Sequence, residues 1–468
     1  MLRTNLVRSA SVLWIALAAA ALPAFAQAPK LDAATSAEVD RIAREVLAAT
    51  GVPSASIAIV KDGQVIYLQA YGYARLEPRT PARPNMRYSI GSVSKQFTAA
   101  AILLLAEEGK LSLDDLVSRF LPDLTRARDV RIRDLLSHTS GYRDYWPQDY
   151  VPPFMRQPAT AARILDRWAK QPLDFEPGTQ YQYSNTGYVI AGLIVERAGG
   201  MPLLQLLGTR VFAPLGMTSV ANIDQESLAE TDPVGYQRFG LGPLRVAPKE
   251  GKGWLFAAGE LAMTAQDLAR WNISMIDRRL LKPASYLEME TAVRLKNGLG
   301  TAYGLGLGVA KEAGRRALTH GGEVSGFTAS NMIFPDERAA VTVLVNQDAS
   351  DAALSIAGKI APLLFGSSAA AAEERARRIF EGLQEGKIDR SLFTDNANAY
   401  FTEQAVRDLA EGLAPLGKPA GVLQTRQSDR GGMTFRLLEV KFPGKTLEIW
   451  ERDLPDGKIE QYQVMARD

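Results

Sequence analysis

Ser92-Val93-Ser94-Lys95, running into Gln96-Phe97-Thr98-Ala99-Ala100-Ala101-Ile102-Leu103-Leu104-Leu105-Ala106-Glu107-Glu108-Gly109, is the stretch on which the reading of this 468-residue chain turns. The Ala- and Leu-rich run over 93–108 predicts a long helix closed by Gly109. A serine and a lysine three residues apart share one face of such a helix. At the helix start, free N–H groups and the positive end of the dipole favour developing negative charge. A neighbouring lysine favours the alkoxide, and a neutral lysine takes the serine proton. The four-residue pattern alone is short enough to occur by chance about once in a chain of this size, and it reads equally as an N-cap serine beside a solvated lysine.

Working outward from this segment, strand-like runs lie on both sides. Residues 55–61 and 64–71 flank Asp62-Gly63, a hairpin signal. Strand patterns return at 303–310, 316–320, 326–334 and 339–346, with a helix at about 350–364 and another at 33–50. The intervening stretch is mainly helical, with candidates at 131–137, 159–170, from about Gly187 to Arg197, and after Thr264-Ala265-Gln266-Asp267, a capping pattern with Asp in place of Glu or Gln. Strands from both ends of the segment with helices between them predict one α+β domain: an antiparallel sheet flanked by helices and carrying a mostly helical insertion over 27–366. Gly366-Ser367-Ser368 and the alanines after it read as a linker over 367–372. Residues 373–468 then read as a small α+β accessory domain, helices followed by four strands with turns at Asp429-Arg430-Gly431-Gly432, Pro443-Gly444 and Pro455-Asp456-Gly457.

Two further groupings carry chemistry. Tyr183-Ser184-Asn185 on a turn offers a phenol able to shuttle a proton and an amide able to hold a carbonyl, or else a turn in which Asn185 caps the next helix. His320-Gly321-Gly322-Glu323 ends a strand with two glycines that admit close backbone approach, or else a bulge beside a surface histidine.

Composition narrows the classes. There are no cysteines and only two histidines, which excludes disulfides, thiolate metal sites and a cysteine nucleophile and leaves little for a multi-histidine metal site; no cofactor or metal is expected. The 54 basic and 52 acidic residues include no run dense enough for a nucleic-acid footprint. Arg3 and Arg8, the apolar stretch from Val12 to Leu22 closed by Pro23, and Ala24-Phe25-Ala26 match a secretory signal over residues 1–26. The apolar run is shorter than the ~20 residues that span a bilayer, so no stable membrane anchor is expected after cleavage. The expected location is periplasmic or secreted.

The order and spacing of the three groupings, with Leu135-Leu136-Ser137-His138-Thr139-Ser140-Gly141 between the first two, closely resemble the serine β-lactamase and penicillin-binding superfamily. The similar branch holds class C β-lactamases, DD-peptidases, D-aminopeptidases and related esterases. The resemblance covers roughly residues 35–365, and Ala257-Ala258-Gly259 and Tyr303-Gly304-Leu305-Gly306 extend it. It implies a β-lactamase/transpeptidase-like fold and a hydrolase for small-molecule or peptide substrates. It implies Ser92 as nucleophile, Lys95 assisting its deprotonation, and Tyr183 as base and then acid. It also implies Asn185 as the group orienting Lys95 and binding substrate, the Ser92 and Glu323 amides as the oxyanion hole, and a structural His138.

The chain departs from that pattern at several places. His320-Gly321-Gly322 stands where β-lactamases carry Lys-Thr-Gly, and a histidine is mostly neutral at pH 7. Glu323 adds an acid beside the oxyanion donor, which disfavours anionic substrates. Glu260 follows Gly259 where a second glycine is frequent. The loops 142–157 and 236–256, with Tyr145, Trp146, Tyr150 and Trp254, are expected to overhang the cleft and to favour an apolar or ring-bearing substrate. Two alternatives stay open: a catalytically weak or inactive scaffold that keeps the fold, and a Ser-His-Asp hydrolase with His320 as base. The accessory domain is expected to serve binding or dimerisation.

Overall fold

The structure is a computed structural model that describes residues 30–365 and 368–466. The signal sequence expected over 1–26 lies outside the described residues.

Asp62 and Gly63 both adopt positive φ, 51° and 76°, as a two-residue hairpin turn requires. They join strands Ser54–Lys61 and Gln64–Leu76. Ser54–Lys61 is buried along almost its whole length, which marks a strand covered on both faces. It pairs on its other edge with Ala339–Val345, Ala55 opposite Val345 and Lys61 opposite Ala339. The seven-stranded antiparallel sheet continues through Phe327–Phe334, Arg315–Val324 and Gly308–Glu312, with Arg79–Pro81 closing the far edge. Three strands come from before the helical insertion and four from after it, the arrangement expected from the sequence.

One face of the sheet is covered by helices Ala33–Thr50 and Ala352–Ile360, which pack Val39, Ile42, Val46, Ile356 and Ile360 on Ile57, Val341 and Val343. On the other face lies the large core shared with the insertion. Helix Lys95–Glu107 runs through that core and buries every side chain from Lys95 to Leu105, so its composition is apolar all round rather than two-faced. Asn185–Gly199 and Ala265–Asp277 pack in the same core, and Thr264 caps the latter by accepting the Asp267 amide at 3.1 Å. Helix Pro283–Glu290, which starts on a proline, has no counterpart among the sequence expectations.

The C-terminal part is a separate domain with a four-stranded antiparallel meander, Gly421–Arg430, Met433–Phe442, Lys445–Asp453 and Ile459–Ala466. Its core of Phe380, Leu383, Phe393, Leu438, Ile449 and Tyr462 draws on no residue of the sheet domain. Within the linker expected over 367–372, residue 367 lies outside the described residues and Ser368 onward belongs to helix Ser368–Gln384. A run of alanines has the highest helix propensity and lengthens the following helix rather than loosening the connection.

Candidate active site

Ser92 sits on the 3-10 turn Gly91–Ser94 that opens helix Lys95–Glu107. Lys95 is fully buried beneath it and donates to Ser92 Oγ at 3.0 Å, Asn185 Oδ1 at 2.8 Å and the Ala258 carbonyl at 2.8 Å. An amine has three N–H donors when protonated, and all three have acceptors here. Burial nonetheless pulls its pKa down to about 7, with the Asp144 carboxylate opposing the shift. The lysine is thus poised between ammonium and amine at neutral pH.

Tyr183 and Asn185 reach the same point from the start of helix Asn185–Gly199. Ser184, not Asn185, caps that helix by accepting the Gly187 amide at 3.3 Å, which leaves the Asn185 side chain free to face Lys95. Burial raises the Tyr183 pKa, and a hydrogen bond with the Ser92 hydroxyl works in the opposite sense. The Tyr183 ring lies 4.9 Å from Lys95 Nζ. Behind it His138 packs ring to ring, centroids 4.1 Å apart at 31°, and accepts the Ser184 amide on Nδ1 at 3.1 Å. Its φ of 58° makes the turn that presents this face. His138 is therefore a buried platform for Tyr183 and not a base; burial and nearby Lys95 hold its pKa well below normal.

The third wall is strand Arg315–Val324. Gly322 lies so close to the Gly91–Ser94 turn that a Cβ on it would sit 1.9 Å from the Ile90 carbonyl and 3.3 Å from the Ser92 amide nitrogen. Gly91, at φ 50°, mirrors it: a Cβ there would sit 2.6 Å from the Glu323 amide nitrogen. The two glycines let two backbones meet, which brings the Ser92 and Glu323 amides to one site. Gly321 and Glu323 line the cleft beside them. His320 Nδ1 faces the Gly321 carbonyl and Nε2 faces the Tyr303 hydroxyl at 2.8 Å. A carbonyl only accepts, so Nδ1 carries the proton and Tyr303 donates to Nε2. Burial and the Lys95 charge pull the His320 pKa down to about 4, so it is neutral at physiological pH.

Ser92, Tyr183, Asn185, His320, Gly321, Gly322 and Glu323 all line one cavity of about 1030 Å³, with Lys95 directly beneath. The loop 142–157 supplies a residue the sequence reading missed. Asp144 lines the cavity and accepts the Asn185 backbone amide at 3.0 Å and its Nδ2 at 3.3 Å. Burial raises the Asp144 pKa, while the Trp146 and Asn185 amides and Lys95 oppose it. By holding Nδ2, it turns Asn185 Oδ1 toward Lys95. No local motif marks it; the only hint is an acid three residues past Gly141.

The aromatic expectation is partly corrected. Trp146 and Tyr150 line the cavity, but Trp254 is buried against Tyr145, Phe154 and Trp168 and anchors its loop through Nε1 to the Gln157 carbonyl at 2.7 Å. Its large apolar surface is spent on packing two loops together.

An antiparallel sheet built from both ends of the segment, with a serine and a buried lysine where it meets the helical insertion, is the architecture of the β-lactamase/transpeptidase-like proteins. The chain belongs to the beta-lactamase family, which residues 39–362 match. It is 31% identical over 298 residues to a D-aminopeptidase of Brucella anthropi, covering 63% of this chain and 56% of the relative. The chain thus spans little more than half the length of that relative. Among solved structures, D-amino acid amidase from Ochrobactrum anthropi SV3, complexed with L-phenylalanine amide, superposes at TM-score 0.62 and 25% identity over 70% of this chain and 98% of that one. The octameric penicillin-binding protein homologue from Pyrococcus abyssi shares the fold over 92% of this chain and 99% of its own, at TM-score 0.63 and 23% identity.

Proposed function

We propose that the protein is an exported serine hydrolase that forms an acyl-enzyme on Ser92 and cleaves amides or esters of small molecules or peptides. The observation that carries this reading is the 3.0 Å contact between Ser92 Oγ and a fully buried lysine whose pKa is drawn down to about 7. An amine of that pKa accepts the serine proton near neutral pH, whereas the raised Tyr183 pKa keeps the phenol protonated. Lys95 therefore takes the first proton as Ser92 Oγ bonds to the substrate carbonyl carbon. The Ser92 and Glu323 amides stabilise the oxyanion. When the carbon–leaving-group bond breaks, Tyr183 passes its proton to the departing amine or alcohol and recovers one from Lys95. Water then repeats the sequence in reverse, freeing the acid and restoring Ser92.

The cavity lining favours substrates that bear an ammonium. Asp144, Asp149, Glu323, Asp348 and Asp351 face it against Arg156 and Arg238, and His320 brings no charge. A D-aminopeptidase and a D-amino acid amidase among the relatives fit the same substrate class. Efficient β-lactamase action, which needs a partner for the substrate carboxylate, is disfavoured. The complete set of Ser92, Lys95, Tyr183 and Asn185 argues against an inactive scaffold. The Ser-His-Asp alternative lacks a free base, because both His320 ring nitrogens are engaged. The N-terminal signal pattern supports a periplasmic or secreted location.

The test is to incubate the protein with a fluorophosphonate and a fluorescent penicillin, locate adducts by mass spectrometry, and assay D- and L-amino acid amides. Phosphonate on Ser92 with turnover of amino acid amides is expected. Absence of any Ser92 adduct would refute the reading.

A further inference from the structure

We infer that Glu260, through Asn222 and the Ala257–Gly259 turn, is a positioning residue for the general base Lys95. This rests on the proposed role of Lys95. The carbonyl that receives Lys95 Nζ belongs to Ala258, in a turn whose preceding residue, Ala257, adopts φ 59°. A left-handed alanine persists only where its surroundings hold it. Two sets of contacts do so. From one side Thr98, one helical turn past Lys95, donates to the Ala257 carbonyl at 2.7 Å. From the other, the Leu255 carbonyl accepts the Ala258 amide at 3.1 Å and the Gly259 amide at 2.8 Å.

Glu260 is itself held. Asn222 Nδ2 donates to Glu260 Oε2 at 3.0 Å, and Asn222 Oδ1 accepts the Asp224 amide at 2.9 Å. Asp224 Oδ1 in turn accepts the amides of Gly253 at 2.8 Å and Leu255 at 3.0 Å, the entry to the same turn. A continuous chain of contacts therefore runs from Glu260 through Asn222 and Asp224 to Leu255, whose carbonyl holds the 258–259 amides, and from the Ala258 carbonyl to Lys95. Glu260 is fully buried with no basic partner, and burial pushes its pKa up to about 8, Asp224 adding to the effect. An acid kept in so unfavourable a place, directly after the strained turn and bonded to the Asn222 that supports its entry, points to a role in holding that turn.

The consequence for Lys95 has a sign. A carbonyl acceptor stabilises the ammonium more than the amine, so withdrawing Ala258 lowers the lysine pKa further. The other groups around Lys95 are Ser92, Asn185, Tyr183, Tyr188, Asp144, His138 and His320, and none of them touches Glu260 in the contacts described.

The experiment measures the rate of Ser92 labelling by a fluorophosphonate from pH 5 to 9 in the full chain. Glu260→Ala is expected to move the acid-limb midpoint to lower pH and reduce the limiting rate by up to about a hundredfold, the cost of displacing a catalytic group by about 1 Å. Glu260→Gln keeps volume and an amide oxygen that can still accept from Asn222 Nδ2, so its midpoint should lie nearer to wild type than that of Glu260→Ala. If Glu260→Ala does not fold, Asn222→Ala, which removes only the outer support, should move the midpoint in the same direction. A folded variant with an unchanged or raised midpoint overturns the inference. Failure of wild-type Ser92 to label would instead overturn the role of Ser92 and Lys95.

Discussion

Tyr303 donates its hydroxyl to His320 Nε2 at 2.8 Å, so the histidine that stands on the strand facing the nucleophile has no free nitrogen to offer it. Burial and Lys95 draw its pKa down to about 4 and keep it uncharged across the neutral range. His320→Ala should therefore cost less than Lys95→Ala. For Lys95→Ala, loss of the general base is expected to lower kcat by about 10²–10⁴. Steady-state hydrolysis of an amino acid amide by the two variants decides it; a larger loss for His320→Ala would restore histidine as the base.

The rate should depend on pH through Lys95. Below its pKa of about 7 the lysine is an ammonium and cannot take the serine proton; above it the amine is free to do so. Labelling and hydrolysis should rise with pH through a midpoint near 7. A profile flat from pH 5 to 9 would contradict this assignment.

Asp144 opposes the fall of the Lys95 pKa and holds the Asn185 amide. Asp144→Ala should move the acid-limb midpoint to lower pH, since a negative charge favouring the ammonium is gone. It should also raise KM for ammonium-bearing amides more than for neutral esters. Equal changes for both substrates would remove Asp144 from substrate recognition.

Gly322→Ala places a methyl 1.9 Å from the Ile90 carbonyl. Backbone cannot yield as a flexible side chain can, so the strand must retreat from the nucleophile turn. Loss of one oxyanion donor costs about 10²–10³ in kcat. The variant should remain folded by circular dichroism while acylation falls by that factor.

Removing residues 368–468 should leave Ser92 labelling intact, because the accessory domain has its own core and that core draws on no residue of the catalytic sheet. Loss of labelling in a truncated protein that keeps a cooperative thermal transition would give the domain a part in catalysis.

Much of the fold is legible locally. The Asp62-Gly63 hairpin and the Ala- and Leu-rich helix after Ser92 each express a backbone preference or a run of apolar residues. The alanines after Ser368 obey the same rule and form the start of helix Ser368–Gln384. Trp254 was harder: its aromatic character says that it will cover apolar surface but not whose, and the surface proved to be Tyr145, Phe154 and Trp168.

What the sequence by itself determined is the set of candidate side chains, Ser92, Lys95, Tyr183 and Asn185, and the glycine, Gly322, that lets His320's strand approach them. What only the tertiary structure decided is the state of those groups. Burial strips the Lys95 ammonium of water and draws its pKa down to about 7, as the proposed base requires. Asn185 faces Lys95 because Asp144 holds the other end of its amide, and the Ala258 carbonyl meets it from a turn whose preceding residue is left-handed. Desolvation and hydrogen-bond direction depend on atoms brought together from distant parts of the chain, and no local pattern around Asp144 or Glu260 encodes them.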